Sequence, residues 1–88
     1  MELNEYQIQD LKLSDLKHIV GKTIKITLKN PIKIKGLEEE QNELIGIVNQ
    51  IGLAANAPNL PVDINITISG TEISKNVNIF GMEKLEWE

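Results

Sequence analysis

The chain has 88 residues, 13 acidic and 9 basic side chains, and a formal net charge of −4. A chain of this length builds one hydrophobic core, so residues 1–88 are expected to form a single domain. There is no cysteine, which excludes disulfides and thiolate metal sites. No apolar run approaches the ~20 residues that cross a membrane, and the acidic beginning MELNEYQIQD is unlike a secretory signal. We therefore expect a cytoplasmic protein with no membrane association, metal or cofactor.

The first part of the chain, residues 1–13, has a pattern that fits either a bulged strand or a helix. Ser14 follows, a residue type that commonly caps the start of a helix, and the next residues read DLKHIV. The side chains expected to face inward are Leu16, Ile19 and Val20. Gly21 would end this helix. One short helix is therefore predicted over residues 15–20.

Residues 23–36 read TIKITLKNPIKIKG, in which apolar side chains alternate with lysine or threonine at the period of two that indicates β-strands. The isoleucines and Leu28 are expected to face the core, and the lysines are expected to face solvent. Pro31 cannot donate a hydrogen bond to a sheet, so it predicts a turn, a bulge or a sheet edge. Beyond it the strand is expected to continue to about Glu39, before a turn at residues 41–42.

Residues 44–53 are apolar at both odd and even positions, which is typical of one central strand, or two, covered on both faces. Gly46 and Gly52 would allow bends or a close approach of two backbones. A helix is the alternative here, but two glycines so close together disfavour it. The next residues, 54–61, read AANAPNLP and predict a loop.

The last third of the chain predicts three further strands. VDINITIS at residues 62–69 alternates strictly, Ser69-Gly70-Thr71 is typical of a hairpin turn, and a return strand is expected over residues 72–80. A short final strand would carry Leu85 and Trp87. The sum predicts a mainly β fold: a small, bent five-stranded barrel over residues 14–88, with one short N-terminal helix.

Few residues suggest catalysis. His18 is the only histidine, and we interpret it as a surface or half-buried helix residue; Ser14 is interpreted as a helix cap rather than a nucleophile. The acidic run at residues 38–40, with Glu43, lacks the alternating ligands and central glycine of a calcium loop, and is interpreted as a polar strand end. No enzymatic activity is expected.

The lysines of residues 22–35 offer a nucleic-acid hypothesis. The side chains that would contact a phosphate backbone are Lys25, Lys29, Lys33 and Lys35. Five lysines lie in residues 22–35, but four glutamates follow in residues 36–45 and nearly cancel them. Cross-strand lysine–glutamate pairs on a solvent face are the simpler interpretation. The chain also has no arginine, the residue best suited to phosphate and base recognition.

Three residues are candidates for a protein interface: Trp87, Phe80 and Pro31. Tryptophan is enriched at binding hot spots. The end of a chain is usually frayed, so a large aromatic side chain at position 87 is expected to pack against the core or a partner. The alternative for Trp87 is that it closes one end of the core together with Leu85. Pro31 marks a strand edge that another chain could pair with.

The order of a short helix, Gly-Lys, an alternating strand, a turn and a strand with an internal glycine resembles the Sm-like domains. The matching positions are Gly36, Asn42 and Gly81, and Ile79-Phe80-Gly81 is similar to the family's second motif. The resemblance implies an SH3-like bent barrel and rings formed by pairing of edge strands. The aspartate of the first motif is absent, and Phe80 stands where the family has an RNA-contacting arginine, so RNA binding is not implied with the fold.

The leading functional prediction is a non-enzymatic β-barrel that acts through protein–protein contacts, including self-association. The alternative is binding of RNA or single-stranded nucleic acid through the lysine-bearing strand face of residues 22–35. A third class is an enzyme, or a small-ligand pocket, in the mouth of the barrel.

Overall fold

A computed structural model describes all 88 residues, and it confirms the mainly β prediction. The strands are β1 (Glu2–Asn4), β2 (Thr23–Ile32), β3 (Gln41–Ala54), β4 (Ala57–Ile68), β5 (Ser74–Asn78) and β6 (Met82–Trp87). The helices are α1 (Glu5–Gln9) and α2 (Leu13–Leu16), and 3-10 turns lie at Lys17–Ile19 and Ile79–Gly81. All strand pairs are antiparallel in one sheet of order β1-β6-β2-β3-β4-β5.

The ambiguous N-terminal segment contains both a strand and a helix. β1 pairs with β6, and α1 begins immediately after it. Asn4 makes the transition, because its side chain accepts a hydrogen bond from the backbone N–H of Gln7 at 3.0 Å, and the Gln7 side chain accepts one from the Asn4 backbone N–H at 2.9 Å. This reciprocal arrangement satisfies backbone donors that the first helical turn leaves free.

α2 begins two residues before the predicted helix and ends earlier, so the prediction of Ser14 as its cap is wrong. The Asp15 carboxylate instead accepts a hydrogen bond from the Lys12 backbone N–H at 2.9 Å. The chain tightens into the 3-10 turn after Leu16, and this rotates Val20 to the surface rather than inward. Gly21 has a φ of 88° and ends the helical segment as expected.

β2 runs through Pro31, and the predicted continuation of the strand to Glu39 is wrong. Pairing with β3 is regular from Thr23 to Thr27, then shifts register before resuming at Ile32. Pro31 lies in this shift, where pairing with β3 is interrupted and no backbone N–H is needed at its position. Residues 33–40 then form a connection outside any strand, although Ile34 remains in the core.

β3 and β4 form one long hairpin, and the predicted loop at residues 54–61 is wrong. Ala54 pairs with Ala57, so only two residues make the turn. Pro61 pairs with Leu53 between two register shifts, an irregular stretch that tolerates a residue without an N–H. The hairpin turn at residues 69–71 is confirmed, with Gly70 at a φ of 79°.

β5 is shorter than the predicted strand over residues 72–80, because the chain turns into the 3-10 segment at Ile79. The final strand with Leu85 and Trp87 is confirmed as β6. The structure has six strands and two helices, where the sequence predicted five strands and one helix. β1 and β5 are the sheet edges, and they do not pair with each other, so the sheet is not closed.

One hydrophobic core lies on the inner side of the sheet. It contains 17 buried side chains drawn from α1, α2, both 3-10 turns, the connection after β2 and five of the strands. Gly46 is required at its centre, because a Cβ there would lie 2.5 Å from the backbone oxygen of Thr67. The backbones of β3 and β4 therefore approach each other closely, which is one of the two roles that the sequence allowed for Gly46.

Candidate interaction surfaces

The outer face of the sheet carries two exposed isoleucines. Leu44 and Val48 of β3 point to the core, whereas Ile45 and Ile47 point outward and expose 49 % and 46 % of their surface. The prediction that this strand is covered on both faces is wrong, because no helix packs on the outer side at this point. A solvent-facing isoleucine pair on a central strand is a candidate contact surface.

Polar side chains form a hydrogen-bonded ladder further along the same outer face. The Asn49 amide donates to the Asn65 side-chain oxygen at 2.8 Å and to the Thr67 hydroxyl at 2.9 Å, and Asn65 donates to Asn76 at 2.8 Å. The Thr67 and Ser74 hydroxyls lie 3.3 Å apart. The ladder links β3, β4 and β5 and fixes the side chains up to the β5 edge.

The lysines of residues 22–35 are largely engaged within the chain. Lys25 lies 2.9 Å from Glu43 on β3, which is a cross-strand pair of the predicted kind, and Lys29 lies 2.6 Å from Glu5 of α1. Lys33 donates to the backbone oxygen of Glu38. Lys35 is exposed and has no ion pair. The four candidate nucleic-acid contacts therefore do not form one free cationic face.

The ion pairs shift the ionisation of their members. The hydrogen bond from Lys25, followed by its charge, holds the pKa of Glu43 below its ordinary value. The same interaction raises the pKa of Lys25. On the other side of β2, Glu2 lies 3.0 Å from Lys84. Its hydrogen bond and its charge raise the pKa of Lys84. These groups are exposed, so each pair stabilises the fold only slightly.

The three predicted interface residues lie in different environments. Trp87 exposes 9 % of its surface and packs in the core, with the His18 ring edge-on at a centroid distance of 5.7 Å. Leu85 is buried beside it, as the core-closing interpretation requires. Phe80 exposes 57 % of its surface in the turn after β5, and Pro31 is also exposed. Binding of a partner by these residues stays a prediction.

β5 is the longer of the two edge strands. It has five residues, which pair with β4 only, whereas β1 has three residues, which pair with β6. The end of β2 faces β5 across a groove of about 290 Å³, which we name the β5 groove. Its lining residues are Leu28, Asn30, Ile32, Lys75, Asn76, Val77, Asn78 and Gly81.

Lys75 is the residue in this groove that the sequence analysis missed. It lies opposite Ile66, and Val77 lies opposite Ile64, so both point to the inner side of the sheet. Lys75 is half-buried and has no ion pair. Lys75 and Val77 are two residues apart in β5, so their side chains lie on the same face of the strand. This spacing was the one feature of the sequence that indicated the orientation of Lys75.

A second groove, of about 710 Å³, lies where the beginning of β2 meets the end of β6. Lys22, Lys25 and Glu86 line it together with Ile45 and Trp87. Its charged groups are of both signs. No three acidic or histidine side chains in the structure converge as a metal site would require. Neither helix has the length and the apolar composition of a membrane span.

Comparison of the chain with known protein families, curated proteins and solved structures gives no match.

Proposed function

We propose that this chain is a non-enzymatic β protein that acts through protein–protein contacts, and that it self-associates by strand addition at β5. The observation that carries this proposal is the free edge of β5. Every second residue of an edge strand directs its backbone N–H and C=O away from the sheet, and those groups gain hydrogen bonds when another strand pairs with them.

The surroundings of β5 support this use of the edge. Phe80 lies two residues beyond the end of β5 and is exposed, so a strand added at β5 would lie near an aromatic side chain. Leu28 and Ile32 form an apolar wall on the opposite side of the β5 groove. Main-chain pairing combined with side-chain pockets is the usual basis of peptide recognition by strand addition.

We also propose the finer fold description, a bent SH3-like barrel related to the Sm-like domains. The support is local. Gly81 lies directly before the last strand, β6, as the family's second motif requires. Gly36 has a φ of 102°, a conformation that few other residues adopt, but it lies in the connection after β2 and not within a strand. The family's rings form by pairing of edge strands, which agrees with self-association at β5.

Nucleic-acid binding has less support than a protein interface. The ion pairs of Lys25 and Lys29 would have to break, or be shared with phosphate, for these side chains to bind a nucleic acid. Single-stranded RNA binding would fall steeply with added salt. Fluorescence anisotropy at low salt tests it. Tight, salt-sensitive binding that is lost when the four candidate lysines are changed to glutamine would favour nucleic-acid binding over a protein interface.

Sedimentation velocity over a wide range of protein concentration tests self-association. Asn76→Glu places a charge on the outer side of the β5 edge and is expected to weaken association, because charged edge residues oppose strand pairing. Gln50→Glu adds the same charge at an exposed position of β3, away from the edge, and is expected to leave association unchanged. A wild-type chain that stays monomeric at high concentration contradicts the proposal.

A further inference from the structure

The β5 groove contains an unpaired cation beside an unpaired strand edge. Lys75 is half-buried on the inner side of β5, and no carboxylate lies within ion-pair distance of its Nζ. A lysine that points inward from an edge strand discourages pairing with an apolar strand, because its ammonium group would be buried without a partner. A strand that brings carboxylates would supply that partner.

The chain itself contains such a segment, residues Glu38, Glu39 and Glu40. All three side chains are exposed and none takes part in an ion pair. The segment lies between β2 and β3, outside any strand, and its backbone N–H groups make no backbone hydrogen bond. It therefore has free main-chain donors as well as free carboxylates.

We propose that the β5 groove of one copy receives residues 38–40 of a second copy as a short added strand, with Lys75 facing its glutamates. This rests on the proposed function, which places strand addition at β5, and it names the partner segment. Side chains alternate between the two faces of a strand. Because three consecutive residues are glutamates, either phase of the added strand directs at least one carboxylate to the Lys75 side.

Other pairings within two copies are less favourable. If two β5 strands paired antiparallel about Asn76, Lys75 of each copy would lie opposite Val77 of the other on the inner face. The two ammonium groups would then be diagonal neighbours, and like charges across strands destabilise a sheet. β1 is a poor partner too, because its one carboxylate, on Glu2, is already held by Lys84 of the same chain.

Charge reversal tests this pairing by sedimentation velocity on the full chain. Lys75→Glu should weaken self-association about tenfold or more, the size expected for close charge pairs across an interface. Replacing all three glutamates of residues 38–40 with lysine should do the same. Combining both sets of substitutions in one chain should restore association. Lys17→Glu, the same charge change at an exposed position outside the groove, should have no effect.

The outcomes separate the two proposals. A monomeric wild-type chain overturns both. If the wild type associates but Lys75→Glu has no effect, or if the combined variant associates no better than the single ones, the pairing of Lys75 with residues 38–40 is overturned. Strand addition at β5 would then require another partner segment. Circular dichroism checks each fold. If Lys75→Glu does not fold, Lys75→Gln takes its place. Weaker association of Lys75→Gln is then expected, and an unchanged affinity overturns the pairing.

Discussion

The two edge strands of the sheet, β1 and β5, differ in length and in surroundings. β1 has three residues, its Leu3 packs against the core, and the chain passes directly into α1, whose Ile8 is buried. β5 has five residues, pairs with β4 only and has an unpaired lysine at its inner side. A very short edge strand leaves little backbone for another chain to pair with, whereas β5 leaves more. This difference is the reason that we propose β5, rather than β1, as the interaction surface.

The largest expected effect comes from weakening the β1–β6 edge. Leu85 is fully buried and pairs with Leu3 on one side and Ile26 on the other. Leu85→Ala would leave a cavity between these strands and is expected to reduce the free energy of unfolding by about 2–5 kcal/mol. Urea unfolding measures the change.

The control for Leu85→Ala lies beside the open edge. Phe80 is exposed, so Phe80→Ala is expected to change the free energy of unfolding by about 0.5 kcal/mol or less. A loss at Phe80 equal to that at Leu85 would show that Phe80 belongs to the core of the monomer. That result would remove it from the proposed interaction surface.

A pair of glycine substitutions compares the middle of the sheet with the open edge. Gly46→Ala would force β3 away from the Thr67 backbone, and overpacking of this kind costs about 1–3 kcal/mol. Gly81 lines the β5 groove, and a Cβ there meets nothing within 4 Å. Thermal unfolding should therefore show a clear loss for Gly46→Ala and little change for Gly81→Ala. Equal losses would contradict the close approach at Gly46.

A milder substitution opens the β1 edge without creating a central cavity. Leu3 is partly buried, and Leu3→Ala is expected to reduce the free energy of unfolding by about 1 kcal/mol, less than a fully buried leucine. Amide hydrogen exchange should become faster in β1 and β6, because these strands pair with each other. Exchange in β5, at the far edge, serves as the internal control and should not change.

The smallest effect is the pH dependence of the Lys25–Glu43 pair. Folding lowers the pKa of Glu43, so its contribution to stability is fully present above the ordinary glutamate pKa and disappears as pH falls through the lowered value. Wild type and Glu43→Gln should therefore differ slightly in urea midpoint at neutral pH and converge in acid. Glu83→Gln, which removes an exposed carboxylate that takes part in no ion pair, is the control and should show no such convergence.

Local sequence patterns predicted the strands well where one face is apolar. Ile64, Ile66 and Ile68 alternate with polar residues and are buried in β4 as the period of two requires. The same pattern predicted the buried side of β2. It misled at β3, where both faces are apolar in sequence but only one faces the core. Nothing local indicates whether a helix will cover the second face.

The candidate site was predicted in part. Pro31 and Phe80 were expected to be accessible, and both are exposed. Lys75 was missed, since its meaning depends on β5 being an edge strand and on the end of β2 lying across the groove. The ion pair of Lys29 was also beyond prediction, because its partner Glu5 comes from a segment whose structure was ambiguous.

The sequence by itself determined the mainly β character, the inward faces of β2 and β4, the turns at Gly21 and Gly70, and the final strand with Leu85 and Trp87. These follow from alternation, from glycine conformations and from the exclusion of water by apolar side chains, all of which act over a few residues. Tertiary structure alone decided the strand order, the lysine partners and the edge that stays open. Those depend on contacts between residues far apart in the chain, such as Glu2 with Lys84 and the end of β2 with β5, which no local pattern records.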